Sequence, residues 1–151
     1  MNGTFDRFTE RAKGFIQSAQ YSASSANHQQ LTPEHLLQNF MEDREGLATR
    51  LLTASGGNTK EIYQRVKTEL KRLPSVEGSG AGQVYLSSGF SKILTQAEQL
   101  ADKAGDSYVT VEYLLLSLSM VPDTASFKIL TSSGVNSINL NKSIKGNNVC
   151  H

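Results

Sequence analysis

The chain has 151 residues, the size of one ordinary domain, with 15 basic and 14 acidic residues and a net charge of +1. That balance argues against an electrostatic nucleic-acid binder, and 7% aromatic content without Trp argues against a base-stacking platform. The single cysteine, Cys150, excludes an internal disulfide and a thiolate metal cluster. Residues 1–15 carry Asp6, Arg7, Glu10, Arg11 and Lys13 with no apolar run, so they do not read as a signal peptide. The most apolar stretch, residues 113–121, is about half of what a membrane crossing needs. The expectation is a soluble, cytoplasmic chain that binds neither nucleic acid nor membrane.

Phe5, Phe8, Ala12, Phe15, Ile16, Ala19, Ala23 and Ala26 step by three and four, predicting one face of a long helix capped by Thr4. Thr32-Pro33-Glu34 predicts the next start: threonine caps, proline suits the first turn, and glutamate suits the positive end of the dipole. Its apolar face is Leu36, Leu37, Phe40 and Met41. A third helix carries Leu47, Leu51 and Leu52 and stops at Gly56-Gly57; a fourth carries Ile62, Val66, Leu70 and Leu73 and stops before Pro74. Residues 74–82, rich in glycine and serine, read as a flexible connector.

The same sequence of events then recurs. Phe90, Ile93, Leu94, Ala97, Leu100, Ala101 and Ala104 mark a second long helix ended by Gly105. Thr110 starts the next, with Leu114, Leu115 and Leu118 inside. Phe127, Ile129 and Leu130 mark another, ended by Gly134, and Ile138, Leu140 and Ile144 a weaker last one fading at Gly146. A shift of 78 positions, without a gap, lays residues 31–37 (LTPEHLL) on 109–115 (VTVEYLL), and residues 51–58 on 129–136. No segment alternates with period two. The predicted fold is all-α: two tandem four-helix repeats related by pseudo-twofold symmetry, residues 1–73 and 87–146, joined by a connector at 74–86, with 147–151 beginning a linker.

No catalytic set emerges. Gly56-Gly57-Asn58-Thr59-Lys60 lacks phosphate-loop spacing, and no serine sits in a nucleophile elbow. His28, His35 and His151 have no partner histidine three or four residues away, so no helical metal pair is expected. His35 stands where Tyr113 stands in the other repeat, a position for a half-buried ring that packs and hydrogen-bonds. Glu34 and Glu112 recur together. Their plain reading is a helix-start carboxylate; the sharper one is the charged rim of a groove. Adjacent apolar pairs, Phe15 with Ile16 and Ile93 with Leu94, widen the long helices' apolar faces beyond a narrow seam.

The doubled pattern of spaced alanines followed by TPEHLL resembles the Clp N-terminal domain family. The segment Arg72-Leu73-Pro74-Ser75-Val76-Glu77-Gly78-Ser79-Gly80 is similar to that of its disaggregase branch, the ClpB chaperones. The resemblance runs from Phe5 to about Gly146. It implies a substrate-recognition domain that engages unfolded or aggregated protein through an apolar groove and holds no catalytic site or cofactor of its own. ATP and Mg would belong to ATPase modules of a longer, hexameric protein that works with the DnaK system; the isolated domain would be a monomer. It also implies roles in substrate handling for Thr9, Asp106 and Glu112. Phe15, Ile16, Leu94 and Tyr113 are the apolar groove candidates beside them. An alternative from the same family is an adaptor-docking domain of the protease-linked ClpA and ClpC type. The connector argues against it. A small enzyme of another kind is weakened by the lack of converging His, Cys or carboxylates. The chain departs from the family in carrying Tyr113 where histidine is common, and in its tail.

Overall fold

A computed structural model describes residues 5–77 and 83–149, with side chains to residue 146. Its elements are α1 (Glu10–Ser25), β1 (Gln30–Leu31), α2 (Pro33–Glu42), α3 (Leu47–Ala54), α4 (Thr59–Lys71), β2 (Tyr85–Leu86), α5 (Ser88–Ala104), α6 (Val111–Leu118), α7 (Ala125–Ser132) and α8 (Ser137–Val149). The fold is all-α apart from the two-residue strands, which pair in parallel, Gln30 with Tyr85 and Leu31 with Leu86.

Each long helix begins where a hydroxyl takes an orphan N–H of the first turn. The Thr9 hydroxyl accepts from the Ala12 N–H at 3.1 Å, and the Ser87 hydroxyl from the Phe90 N–H at 3.0 Å. This corrects the expected start of α1. Phe5 and Phe8 precede the helix, because Phe8 is held extended in a parallel bridge to Val109. Thr4, the expected cap, lies outside the described residues. At the other end of the chain α8 continues past Gly146 to Val149, into residues expected to begin a linker. Ile138, expected on its apolar face, is exposed, whereas Leu140 and Ile144 are buried.

The described ends of the connector are held by the first half. Ser75 donates its hydroxyl to the Ala26 carbonyl at 3.2 Å and Val76 its N–H to the Asn27 carbonyl at 2.8 Å. Tyr85 and Leu86 at its far end form β2. Residues 78–82 lie outside the described residues.

Small side chains set the packing within each half. Ala12, Ala19 and Ala23 bring α1 against α2, and Ala97 and Ala101 bring α5 against α6. Between them Leu36, Leu37, Phe40, Leu114, Leu115 and Leu118 are fully buried, each contributing about 1.5–3 kcal/mol by leaving water. The halves join through α3 on α8 and α4 on α7. At that seam the Asn58 N–H reaches the Ser133 carbonyl at 3.0 Å. Gly134 has φ +99°, and a Cβ there would stand 2.8 Å from the Gly56 carbonyl oxygen, so the turn needs glycine on both grounds.

Candidate functional site

The two strand-like contacts exchange partners under the 78-residue offset. Leu31 pairs with Leu86, and Phe8 with Val109; adding the offset turns Phe8 into Leu86 and Leu31 into Val109. The supporting bonds exchange as well: Thr9 N–H to Val109 O, and Ser87 N–H to Leu31 O, both 3.0 Å. Each half therefore lays an extended segment beside the other half's long helix, and a groove can form at either crossing.

One crossing is open. Beside α1 and β2 lies a cavity of about 430 Å³. Phe5, Ile16, Leu31, Val84 and Leu86 give it apolar walls, and Lys13, Gln17 and Gln20 line it from α1. The other crossing is covered. Phe8 is only 2% exposed where its counterpart Leu86 is 36% exposed, and the Phe5 ring stacks edge-on against it, 5.5 Å between centroids. Arg7 closes over α5. It ion-pairs with Asp102 at 2.7 Å and Glu98 at 3.9 Å, and donates to the Ser107 and Asp106 carbonyls at 3.3 Å.

A second group of features surrounds the start of α6. Asp106, Glu112 and Tyr113 line one cavity of about 420 Å³ with Leu116, Lys103 and Lys145. The Tyr113 hydroxyl donates to Asp106 Oδ2. Burial foremost, then the bond to Asp106 and the nearby negative charge, pushes the Tyr113 pKa up to about 12. Arg11 is held more firmly protonated, chiefly by its hydrogen bond to Glu45, with Asp43 and Glu112 adding through space.

The corresponding place in the first half holds His28 and His35. His28 Nδ1 and His35 Nε2 are 2.9 Å apart, above a cavity of about 670 Å³ reaching Lys67 and Lys71. The Thr32 N–H donates to His35 Nδ1 at 3.0 Å. That bond puts the His35 proton on Nε2, which donates to His28 Nδ1. Both rings are thereby fixed neutral. Burial foremost, then His28, pushes the His35 pKa down to about 4, and burial lowers His28 as well. The contact does not follow helical spacing, so that pattern in the sequence does not show it. His28 lies in the turn after α1, seven residues before His35, and the repeat offset that pairs these two with Asp106 and Tyr113 was the available signal.

The remaining expected residues spread out. Thr9 spends its hydroxyl as the α1 cap. Ile16, 5% exposed, lines the open cavity. Phe15 stacks edge-on against Phe40 at 4.8 Å between centroids. Leu94, 4% exposed, belongs to the core cluster. Asp106, Glu112 and Tyr113 line one cavity, whereas Thr9 does not line it and bonds only by its N–H to the Val109 carbonyl. Phe5, Leu31, Val84 and Leu86 were not anticipated at a groove; Val84, Tyr85 and Leu86 form an apolar run beside the Gly/Ser stretch that could have indicated a strand. Glu34 takes the plain role: its Oε2 accepts from the Ser126 N–H at 2.8 Å and the Ser126 hydroxyl at 2.7 Å, tying α2 to the first turn of α7.

Among the described residues no three His, Cys, Asp or Glu side chains gather as a metal site, and no helix is long and apolar enough to cross a membrane.

Comparison with known proteins gives this geometry its family. The Clp repeat (R) N-terminal domain profile matches residues 7–133. Chaperone protein ClpB of Rhodopseudomonas palustris is 47% identical over 139 residues, which is 92% of this chain and 16% of that protein. ClpB of Mesorhizobium japonicum is 48% identical over the same shares. The chain thus spans 16% of the length of these curated relatives. The crystal structure of the Hsp104 N-terminal domain from Candida albicans shares the fold, with TM-score 0.78 at 22% identity over 91% of this chain and 89% of that one. The N-terminal domain of the ClpV1 ATPase from E. coli does so with TM-score 0.75 at 21% identity, over 93% and 85%. On profile, identity and fold together, this chain belongs to the Clp repeat N-terminal domain family.

Proposed function

We propose that this domain is the substrate-recognition module of a ClpB-like, ATP-driven disaggregating chaperone, and that it engages unfolded or aggregated protein through an apolar groove. The observation that carries the reading is the open cavity of about 430 Å³ between α1 and β2, walled by Phe5, Ile16, Leu31, Val84 and Leu86. An unfolded chain exposes the side chains that folded proteins hide, so a small apolar groove selects for misfolding without selecting a sequence. Binding is weak for a physical reason: apolar burial yields only about 25 cal/mol per Å², and ordering a flexible chain offsets much of it. A recognition module that must hand its client onward needs such weak contact.

Thr9, Asp106 and Glu112 form the polar part of this function, at the junction of α1 and α6. The hexameric ATPase and its cooperation with the DnaK system belong to a longer protein of which this domain is one module.

The test is a titration of the methyl-labelled chain with a carboxymethylated, permanently unfolded protein and with the same protein folded. The unfolded form should shift the Ile16 and Leu31 methyl signals and the folded form should not. Binding of one folded adaptor in fixed stoichiometry, with no response to the unfolded protein, would transfer the domain to the adaptor-docking reading.

A further inference from the structure

The pseudo-equivalent crossings differ in one respect that specifies a ligand. At the covered crossing the extended segment presents Phe8, buried against Val109 and stacked by Phe5, with the Arg7 guanidinium held between Glu98 and Asp102 above it. At the open crossing the same backbone position, paired to Leu31, carries Leu86, and the position of Arg7 is taken by Tyr85, which is exposed. The helix wall is similar in both: Ile16 corresponds to Leu94, Gln17 to Thr95 and Gln20 to Glu98. The chain thus contains a filled version of its own groove, and the filling group is a phenylalanine on an extended segment.

We propose that the open groove takes a bulky aromatic side chain of an extended client segment, seated between Ile16 and Leu86, with an acidic residue beside it facing Lys13. This rests on the substrate-recognition reading above and names its substrate class. The aromatic preference follows from the substitution of Leu86 for the Phe8 counterpart: over a floor of buried Ile16 and Leu31, the smaller side chain and half-buried Phe5 and Val84 leave apolar surface open that a ring from outside can cover. The acidic preference follows from charge. Among the described residues lining this cavity Lys13 is the one charged group, whereas at the covered crossing Arg7 already meets Glu98 and Asp102. Lys13 already meets Glu10 at 3.1 Å, an exposed pair one turn back on α1. Such a pair is weak enough for a second carboxylate to share the ammonium. Leu86 therefore acts as the specificity residue of the groove, and Leu86→Phe should close it from within, as Phe8 closes the other.

The experiment uses the 151-residue chain, methyl-labelled, with short unstructured peptides containing Phe-Asp, Ala-Asp or Phe-Lys at the centre. The Phe-Asp peptide should move the Ile16 and Leu31 methyls. Ala-Asp should bind at least tenfold more weakly, and Phe-Lys several-fold more weakly. In Leu86→Phe, whose methyl spectrum away from the groove should match the parent, affinity for Phe-Asp should fall at least tenfold. Leu86→Ala, which enlarges the cavity, should keep the aromatic preference. Equal binding of Phe-Asp and Ala-Asp, shifts at other methyls, or unaltered binding by Leu86→Phe would overturn the aromatic groove while leaving recognition of unfolded protein elsewhere intact. No response to any peptide or to the carboxymethylated protein would overturn the recognition reading itself, and the groove with it.

Discussion

His28 Nδ1 lies 2.9 Å from His35 Nε2, and one repeat later the Tyr113 hydroxyl donates to Asp106. The two halves keep the same hydrogen bond between the turn after the long helix and the first turn of the next helix, but build it from different chemistry. In the first half both partners are neutral rings. Protonating His28 at Nδ1 would set two N–H groups against each other, and protonating His35 at Nδ1 would lose its acceptor for the Thr32 N–H. In the second half a phenol donates to a carboxylate.

The first prediction is an acid sensitivity with a known source. The folded pKa of His35 lies below its ordinary 6.5, at about 4, so the unfolded chain binds the proton more readily between these values. Stability from this pair is fully present above about pH 6.5 and is lost as pH falls towards 4, by up to about 3 kcal/mol. The double substitution His28→Asp with His35→Tyr imports the second half's pair. Urea unfolding at pH 7 and pH 4.5 should show a smaller loss in that variant, and an equal loss in both proteins would refute the assignment.

Glu34 and Glu112 occupy one repeat position, yet only Glu34 is buried with both its Ser126 bonds in place. Glu34→Ala leaves the Ser126 N–H and hydroxyl without their partner and should cost about 2–3 kcal/mol. Glu112→Ala, half-buried and next to Arg11, should cost less than about 1 kcal/mol. Chemical denaturation of the two variants decides it, and similar losses would mean that the α2–α7 tie is unimportant.

Two glycines should respond with opposite sign. Gly134→Ala forces φ +99° on an L side chain and drives its Cβ into the Gly56 carbonyl, so it should cost at least about 2 kcal/mol. Gly14 lies inside α1 with open space around it, and Gly14→Ala should stabilise by about 0.5–1 kcal/mol. Melting temperatures moving in the same direction for both would contradict this seam geometry.

Leu94 offers a control for the groove. It is 4% exposed and belongs to the core cluster, so Leu94→Ala should cost about 2–5 kcal/mol and Leu94→Met less than about 1.5 kcal/mol. If client binding in Leu94→Met equals that of the parent, any loss in Leu94→Ala reports unfolding. A loss of binding in the stable Met variant would instead place Leu94 at the contact surface.

The helices and their order were legible because they depend on local rules. Thr32-Pro33, Thr110 and Gly105 start and stop helices by capping and by φ, and the three-and-four spacing of the leucines and alanines marks the buried faces. The 78-residue offset is likewise a property of the sequence alone. What local rules could not supply was the partner of each element. Phe5 and Phe8 fit a helical face by spacing, but pairing to Val109 holds Phe8 extended, a bond formed across 101 residues. Residues 84–86 sit beside a run of glycine and serine and read as connector until Leu31 supplies the strand partner. Ile16 and Leu94, equal by repeat, part company at the crossings, because Leu86 leaves one open and Phe8 fills the other. The sequence by itself determined the helices and their order, the 78-residue offset and the family. Only the tertiary structure decided which of two equivalent grooves is open, because that depends on what each half brings across: Leu86 to one, Phe8 with Phe5 and Arg7 to the other.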